Sequence, residues 1–441
     1  MPYLSTKNDT RQLSLTIYND GFGLVKETRE MNLSEEDLEI RYLDVAEKIE
    51  TDSIVVDGLD IQELNYEFDL VSKEKLLEKY IDQKVYIYDP ETKEKTEYRL
   101  LSVGDGMVVE NTATREIVIN PEGELTLPKL PSGLIVKPGL VWKIKPSAAR
   151  TVHVYYITKG FSWNANYVLN LKGNTFDLSG WVSINNHSGA TFENSRLKLL
   201  AGDVKRVNDH FDLLEMPVFS RPRGRDRLGE TQNIKEKSFQ DYHLYSFNET
   251  TTLKNQQSKQ MNFLKIDQVP FRRYYEYSLY DEDKPKIIIE FVNKESEGLG
   301  IPLPKGKVKV YSEDPADGSM ELIGEEGIDH TAVNEKLTLH IGKAFDINCE
   351  GKKVNSYKKK GYQYEQFVYT VRNNKQEKIR VKINHDFCRE NWEIVDYSDP
   401  YVAEDSGTIL FWAEVEPEES KTIEFKYRIP RSIQVNVNDE E

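Results

Sequence analysis

The chain has 441 residues, a formal net charge of -16 and an apolar share of 38%, below the ~45–50% usual for globular domains. The acidic balance argues against nucleic acid as a general partner, because neutralising phosphates takes clustered Lys and Arg, and two cysteines, Cys349 and Cys388, cannot supply a disulfide framework. No apolar run approaches the ~20 residues of a membrane-spanning helix and the N-terminus lacks the basic start and apolar run of a secretory signal, so the expectation is a soluble cytoplasmic protein with reduced thiols.

Residues 13 to 68 read as strands. Leu13, Leu15 and Ile17 alternate with polar residues, and the runs at Leu38–Tyr42, Ser53–Val56 and Tyr66–Phe68 are punctuated by Gly21-Phe22-Gly23 and Asp57-Gly58. Ser72 has the chemistry of a helix cap, and Leu76, Leu77 and Tyr80 share one helical face. Five short runs follow, beginning at Val85, Tyr98, Met107, Glu116 and Leu125, with turns at Asp89-Pro90, Gly104-Asp105-Gly106 and Pro121-Glu122-Gly123. A helix followed by five short strands predicts a small SH3-like or Sm-like barrel over 71–130. It would be inserted into a β-sandwich formed by 1–70 and 131–208, with Pro128 to Pro138 as the exit.

The sandwich pattern resumes from Arg150 to Leu200, where Trp163, Tyr167 and Trp181 lie in strand-like runs. Residues 209–261 lose periodicity and read as a flexible linker or long loop, parts of which, Tyr242, His243, Tyr245 and Phe247, have the character of a docking segment. A second sandwich is expected over 262–432, with one hairpin around Asp314-Pro315-Ala316-Asp317-Gly318 and another around Pro417-Glu418-Glu419-Ser420, followed by an acidic tail at 433–441. Three strands end alike, at Asn185-Asn186, Asn293 and Asn373-Asn374, each before a polar turn. The reading is an all-β protein of immunoglobulin-like sandwiches with polar corners.

Several of these runs also carry a family resemblance. Ile17-Tyr18-Asn19 with Gly21-Phe22, Trp163-Asn164-Ala165-Asn166-Tyr167, Trp181 to Gly189, Ala201-Gly202-Asp203-Val204, Ile301-Pro302-Leu303-Pro304-Lys305-Gly306, Ile328-Asp329-His330-Thr331 and Ala344-Phe345-Asp346 resemble a bacterial family carrying the domain of unknown function shared with mucoidy inhibitor A proteins. The resemblance covers most of the chain, is strongest from about 150 onward, and implies a β-rich fold. It brings no activity, cofactor or catalytic residue with it. Many relatives carry export signals and the mucoidy inhibitor branch has a long N-terminal coiled coil, whereas this sequence has neither feature.

No stretch has the spacing of a nucleophile elbow, a phosphate loop or a dinucleotide fingerprint. Trp163 and Tyr167, four apart in a strand, share one face and form a candidate sugar platform, with Asn186 as a further candidate ligand-binding residue; the competing role for the rings is core filler. Asp203, Asp329 and His330 are the candidate acid–base set, against the usual role of turn Asp residues in bonding their own backbone. Asp314, Asp317, Ser319 and Glu321 alternate like an oxygen-donor loop but lack the twelve-residue calcium pattern, and His385-Asp386 near Cys388 lacks a second ligand pair at zinc spacing, so no metal and no cofactor is expected. Arg221, Arg223, Arg225 and Arg227 in one loop and Lys358, Lys359 and Lys360 in another are basic clusters that fit either an anion-binding arm or solvated loops. The functional expectation is a non-enzymatic binding or scaffolding protein with a protein partner. The alternatives are a glycan or peptide hydrolase using Asp203, Asp329 and His330, and a carbohydrate-binding module using Trp163 and Tyr167.

Overall fold

A computed structural model describes residues 2–67, 72–104, 106–129, 131, 138–202, 204–206, 229–231, 234–281, 284–387 and 391–430. Asp203, Cys388, the four-arginine loop and the acidic tail lie outside the described residues. The chain divides into two compact units, the first comprising 1–163, 184–216 and 244–259 and the second 164–183, 217–243 and 260–441.

In the first unit, a four-stranded sheet runs in the order Tyr3–Ser5, Glu39–Leu43, Gly139–Ile144, Ile61–Glu67. An eight-stranded sheet contributes six strands here, in the order Tyr242–Leu253, Phe192–Ala201, Thr10–Tyr18, Phe22–Glu30, Thr151–Lys159, Val55–Asp57. Alternation on Phe22–Glu30 turns Val25, Glu27 and Arg29 inward. Two charges thereby enter the core, and they are held by a closed set of bonds. Arg29 donates from Nε to Glu27 Oε1 at 3.0 Å, from Nη2 to Glu27 Oε2 at 3.1 Å and to the Leu43 carbonyl at 2.9 Å, and from Nη1 to the Ser5 carbonyl at 3.2 Å. Tyr42 and Thr10 donate their hydroxyls to Glu27, and the guanidinium lies 3.6 Å from the Tyr42 ring centroid, with Trp142 stacked on that ring at 4.9 Å. Ser5, Leu43 and Tyr42 belong to the two strands that this arginine joins to its own.

The helix spans Lys73–Lys79, and Ser72 Oγ accepts from the Lys75 backbone N–H as its cap. The five strands after it pair in the order Ile117–Ile119, Met107–Asn111, Lys95–Val103, Lys84–Tyr88, Glu124–Thr126 around Val85, Ile87, Leu100 and Val109. The expected SH3-like or Sm-like barrel is not formed. No ladder joins the two three-residue edge strands, and Ile117 and Ile119, which closure would cover, are exposed.

The second unit contains a five-stranded sheet in the order Gln257–Pro270, Thr175–Asn186, Phe161–Lys172, Gly306–Glu313, Met320–Ile328. A six-stranded sheet follows the order Lys336–Lys343, Lys286–Val292, Arg272–Ser278, Ile379–Asp386, Thr408–Val415, Tyr401–Ala403. The last, four-stranded, has the order Ile347–Lys359, Tyr362–Asn373, Ser420–Pro430, Glu393–Tyr397. Inward residues of these last two sheets, among them Tyr277, Ile383 and Phe411 on one side and Phe367, Tyr369 and Phe425 on the other, share one core.

That core contains a histidine. His385 is 1% exposed, with its Nδ1 2.7 Å from the Tyr369 hydroxyl and its ring 4.6, 4.9 and 4.8 Å from the centroids of Phe367, Phe387 and Phe425. Its Nε2 has no hydrogen-bond partner. Burial pushes its pKa down to about 4, although Asp386 and Glu365 pull the other way.

The immunoglobulin-like expectation is also corrected. Parallel pairs join Tyr3–Ser5 to Glu39–Leu43, Phe192–Ala201 to Thr10–Tyr18, Phe161–Lys172 to Gly306–Glu313 and Arg272–Ser278 to Ile379–Asp386. An immunoglobulin sandwich is built from antiparallel sheets, whereas parallel neighbours need long crossovers that strand alternation does not encode. What stands is an all-β protein of open sheets. The segment read as a linker supplies strands Ile234–Phe239, Tyr242–Leu253 and Gln257–Pro270. Its polar residues fit strands with one wet face.

Candidate functional site

Strand parity decides which aromatic rings meet solvent. On Phe161–Lys172 the inward set is Phe161, Trp163, Ala165, Tyr167 and Leu169. Trp163 is 2% exposed, and Tyr167 is equally interior, donating its hydroxyl to the Pro304 carbonyl at 2.7 Å and meeting Phe263 edge-on. Neither ring has a face to offer a sugar. On Thr175–Asn186 the inward set is Phe176, Leu178, Gly180, Val182 and Ile184, which leaves Trp181 on the opposite face, 39% exposed. Gly180 has a packing reason, since a Cβ there would lie 2.8 Å from Leu264 Cβ and 2.8 Å from the Phe263 ring.

The outward face around Trp181 forms an open depression of about 350 Å³ whose lining includes Asn166, Val168, Ser183, Gln260, Lys307, Lys309 and Tyr311, and the buried Tyr167 also borders it. Its central frame is the parallel pairing of Phe161–Lys172 with Gly306–Glu313, which places Asn166 beside Lys307, Val168 beside Lys309 and Asn170 beside Tyr311. Close approach at the start of that ladder requires Gly306, whose Cβ would sit 2.3 Å from the Ala165 carbonyl oxygen. On the far side, Lys309 pairs in register with Glu325 and Tyr311 with exposed Leu322.

Polar groups on this face are partly committed. Asn166 Nδ2 donates to Ser183 Oγ at 3.1 Å, which leaves the amide oxygen directed by that bond. Lys307 Nζ lies 2.8 Å from Glu325, and its hydrogen bond is the main reason the Glu325 carboxyl is held below its ordinary range, with attraction from Lys307 and Lys309 adding to it. Lys309 makes no ion pair among the described residues. The surface thus combines an indole, a tyrosine, amide and hydroxyl groups and two ammonium groups served by a single carboxylate.

The other candidates of the sequence have structural partners. His330 Nδ1 accepts the Lys305 backbone N–H at 3.1 Å, Thr331 Oγ1 donates to the Asp329 carbonyl, and Leu303 bridges to Thr331 through backbone bonds. With Tyr167 on the Pro304 carbonyl, the Ile301–Gly306 and Asp329–Thr331 motifs form one corner. Asp203, the third member of the acid–base set, lies outside the described residues.

Asn186 is 1% exposed and ties a turn, with Nδ2 donating to the carbonyls of Ala190, Leu253 and Lys254 and Oδ1 accepting from the Ser188 N–H and hydroxyl. Asn293 repeats the device on Ile301, Ala332 and Gly300, and Asn373 on Glu377, Val415, Glu416 and Lys375. The three similar strand ends are thus one solution used three times, a buried amide satisfying turn groups that water cannot reach.

Asp314 and Asp317 accept the backbone N–H groups of Ala316 and Ser319 in their hairpin. No group of three or more His, Cys, Asp or Glu stands ready for a metal ion among the described residues. Cys349 is buried, and desolvation pushes its thiol up to about 12. Lys358, Lys359 and Lys360 lie at a hairpin tip, where Lys360 (φ 47°) and Gly361 (φ 80°) make the reversal. No helix among the described residues is long and apolar enough to cross a membrane.

The signal for Trp181 was in the sequence. Phe176, Leu178, Val182 and Ile184 fix the phase of the strand, and Trp181 is out of phase with all four. No protein-family model matches the chain, and no curated protein matches it.

Proposed function

We propose that the protein is a binding module whose recognition surface is the outward face of the five-stranded sheet, and that its ligand is a saccharide. The observation that carries this reading is Trp181, the exposed one among five tryptophans, set in a depression with Asn166, Ser183, Gln260 and Tyr311. Trp142 and Trp163 are interior, and Trp412 is covered by the Arg380 guanidinium at 3.9 Å. A sugar ring has an apolar C–H face and a polar rim. An indole face covers the first, and amide, hydroxyl and ammonium groups at its edge satisfy the second. The reading retains the chemistry expected of Trp163 and Tyr167 but assigns it to the opposite face of the sheet.

Membership of the family sharing the mucoidy inhibitor A domain is proposed alongside. It is supported by the way three of its motif segments, Trp163–Tyr167, Ile301–Gly306 and Ile328–Thr331, meet at one corner through Tyr167, Pro304, Lys305 and His330.

The test is glycan-array binding followed by calorimetry, comparing the wild type with Trp181→Ala. The variant removes a ring from a solvated face, so its unfolding midpoint should stay close to wild type while saccharide affinity falls by about tenfold or more, the loss expected for one stacked ring. Absence of binding to any glycan, or equal binding by the variant, would overturn the reading.

A further inference from the structure

We infer that the saccharide is acidic, with a ring-borne carboxylate or sulfate placed on the Lys309 ammonium while the ring lies on Trp181. The inference rests on the saccharide reading and names the chemistry that reading leaves open. Three observations support it.

The first is charge accounting on the face itself. Two lysines project from Gly306–Glu313 into the depression, and one carboxylate, Glu325, comes from the neighbouring strand. Glu325 bonds Lys307 at 2.8 Å and also attracts Lys309, its register partner, so the two lysines share one carboxylate and one positive charge is left over, with Lys309 the ammonium outside the ion pair. The chain as a whole carries -16, yet screening at physiological ionic strength limits the reach of that charge to ~8 Å. A small anion at the sheet surface therefore responds to the excess positive charge of Lys307, Lys309 and Glu325 together, of which Lys309 is the member without an ion pair.

The second is position. Lys309 is in register with Val168 of the central strand, so the ammonium stem rises beside an apolar patch and next to Tyr311, two residues along the same face. A ring seated on apolar and aromatic groups presents substituents at its edge, where a lysine alongside can reach them. A neutral sugar would leave that ammonium to water, whereas an anionic one gains a charge-assisted hydrogen bond.

The third is that neighbouring side chains leave room for an anion. Asn166 is oriented by its bond to Ser183, and both, with Gln260, supply neutral polar groups without adding a second carboxylate to the depression. Glu325 lies in register with Lys309 and is bonded to Lys307, so two ammonium groups share one carboxylate and the trio keeps one net positive charge.

The experiment uses the full chain and three probes by calorimetry: tetramers of galacturonic acid, the same tetramers fully methyl-esterified, and a sulfated tetrasaccharide. The expected result is that the uronate, the sulfated probe or both bind at least about tenfold more tightly than the ester, a ratio matching one hydrogen bond to a charged group. Lys309→Gln should erase that preference, bringing the affinities for the uronate and the sulfated probe down to that for the ester, and raised salt should erode it in the wild type. Trp181→Ala should weaken all three probes together. Equal binding of ester and acid, or a preference that survives Lys309→Gln, overturns the acidic assignment and leaves the saccharide reading in place. Binding of no probe, with no neutral glycan bound either, overturns both.

Discussion

His385 should make the protein acid-labile in a window set by one ring. The histidine is sealed among Phe367, Phe387 and Phe425, and burial lowers its pKa from an ordinary 6.5 to about 4. Between these two values the unfolded chain binds a proton that the folded chain refuses. Stability from this residue is therefore complete above about pH 6.5, declines as pH falls toward 4, and is fully lost below it. A shift of this size corresponds to roughly 3 kcal/mol, a large fraction of the ~5–15 kcal/mol that holds a typical domain.

The assay is urea denaturation at closely spaced pH values from 7.5 to 4, on the wild type and on the paired variant His385→Phe with Tyr369→Phe. Changing both partners avoids stranding the Tyr369 hydroxyl, which now meets Nδ1 at 2.7 Å. Carboxylates common to both proteins cancel in the difference between the two curves. That difference should grow by roughly 3 kcal/mol from pH 7 to pH 4. Parallel curves would refute the argument, since they would mean that His385 accepts its proton in the folded state as readily as in the unfolded one.

Two further predictions concern buried polar groups. Glu27→Gln leaves the Arg29 guanidinium buried without a counter-charge and should cost about 3–5 kcal/mol in denaturant unfolding; a loss below about 1 kcal/mol would show that water or rearrangement reaches the site. Asn373→Ala strips the bonds to Glu377, Val415, Glu416 and Lys375 and should cost about 2–4 kcal/mol. Asn373→Asp should be worse at pH 7, because a carboxylate would oppose three carbonyl oxygens, and a ranking in the other order would refute this account.

Local chemistry was legible where a residue acts on its neighbours. Ser72 capped the expected helix, the Asp314–Gly318 turn joined the expected strands, and Leu13, Leu15 and Ile17 fell within one strand. Partner choice was not legible, because alternation reports which face is buried and is silent on whether the neighbour runs parallel or antiparallel. The sandwich and barrel expectations therefore failed on pairing. Inward charges were hidden for a related reason: Glu27 and Arg29 look like the wet half of a strand until Ser5, Tyr42 and Leu43 close around them. The repeated asparagines read as strand ends, but their amides act on carbonyls up to 68 positions away in the chain. Trp181 was within reach of phase counting alone.

The parallel ladder beneath the Trp181 depression joins Phe161–Lys172 to Gly306–Glu313, and Tyr167 reaches the Pro304 carbonyl 137 positions downstream. During synthesis, the first of these strands must wait for well over a hundred residues to emerge before its neighbour exists, a closure that is slow and entropically costly. The outward face around Trp181 is thus assembled late. A nascent or prematurely terminated chain would expose Trp163, Tyr167 and Leu169 as one unprotected apolar row, a natural handle for chaperones.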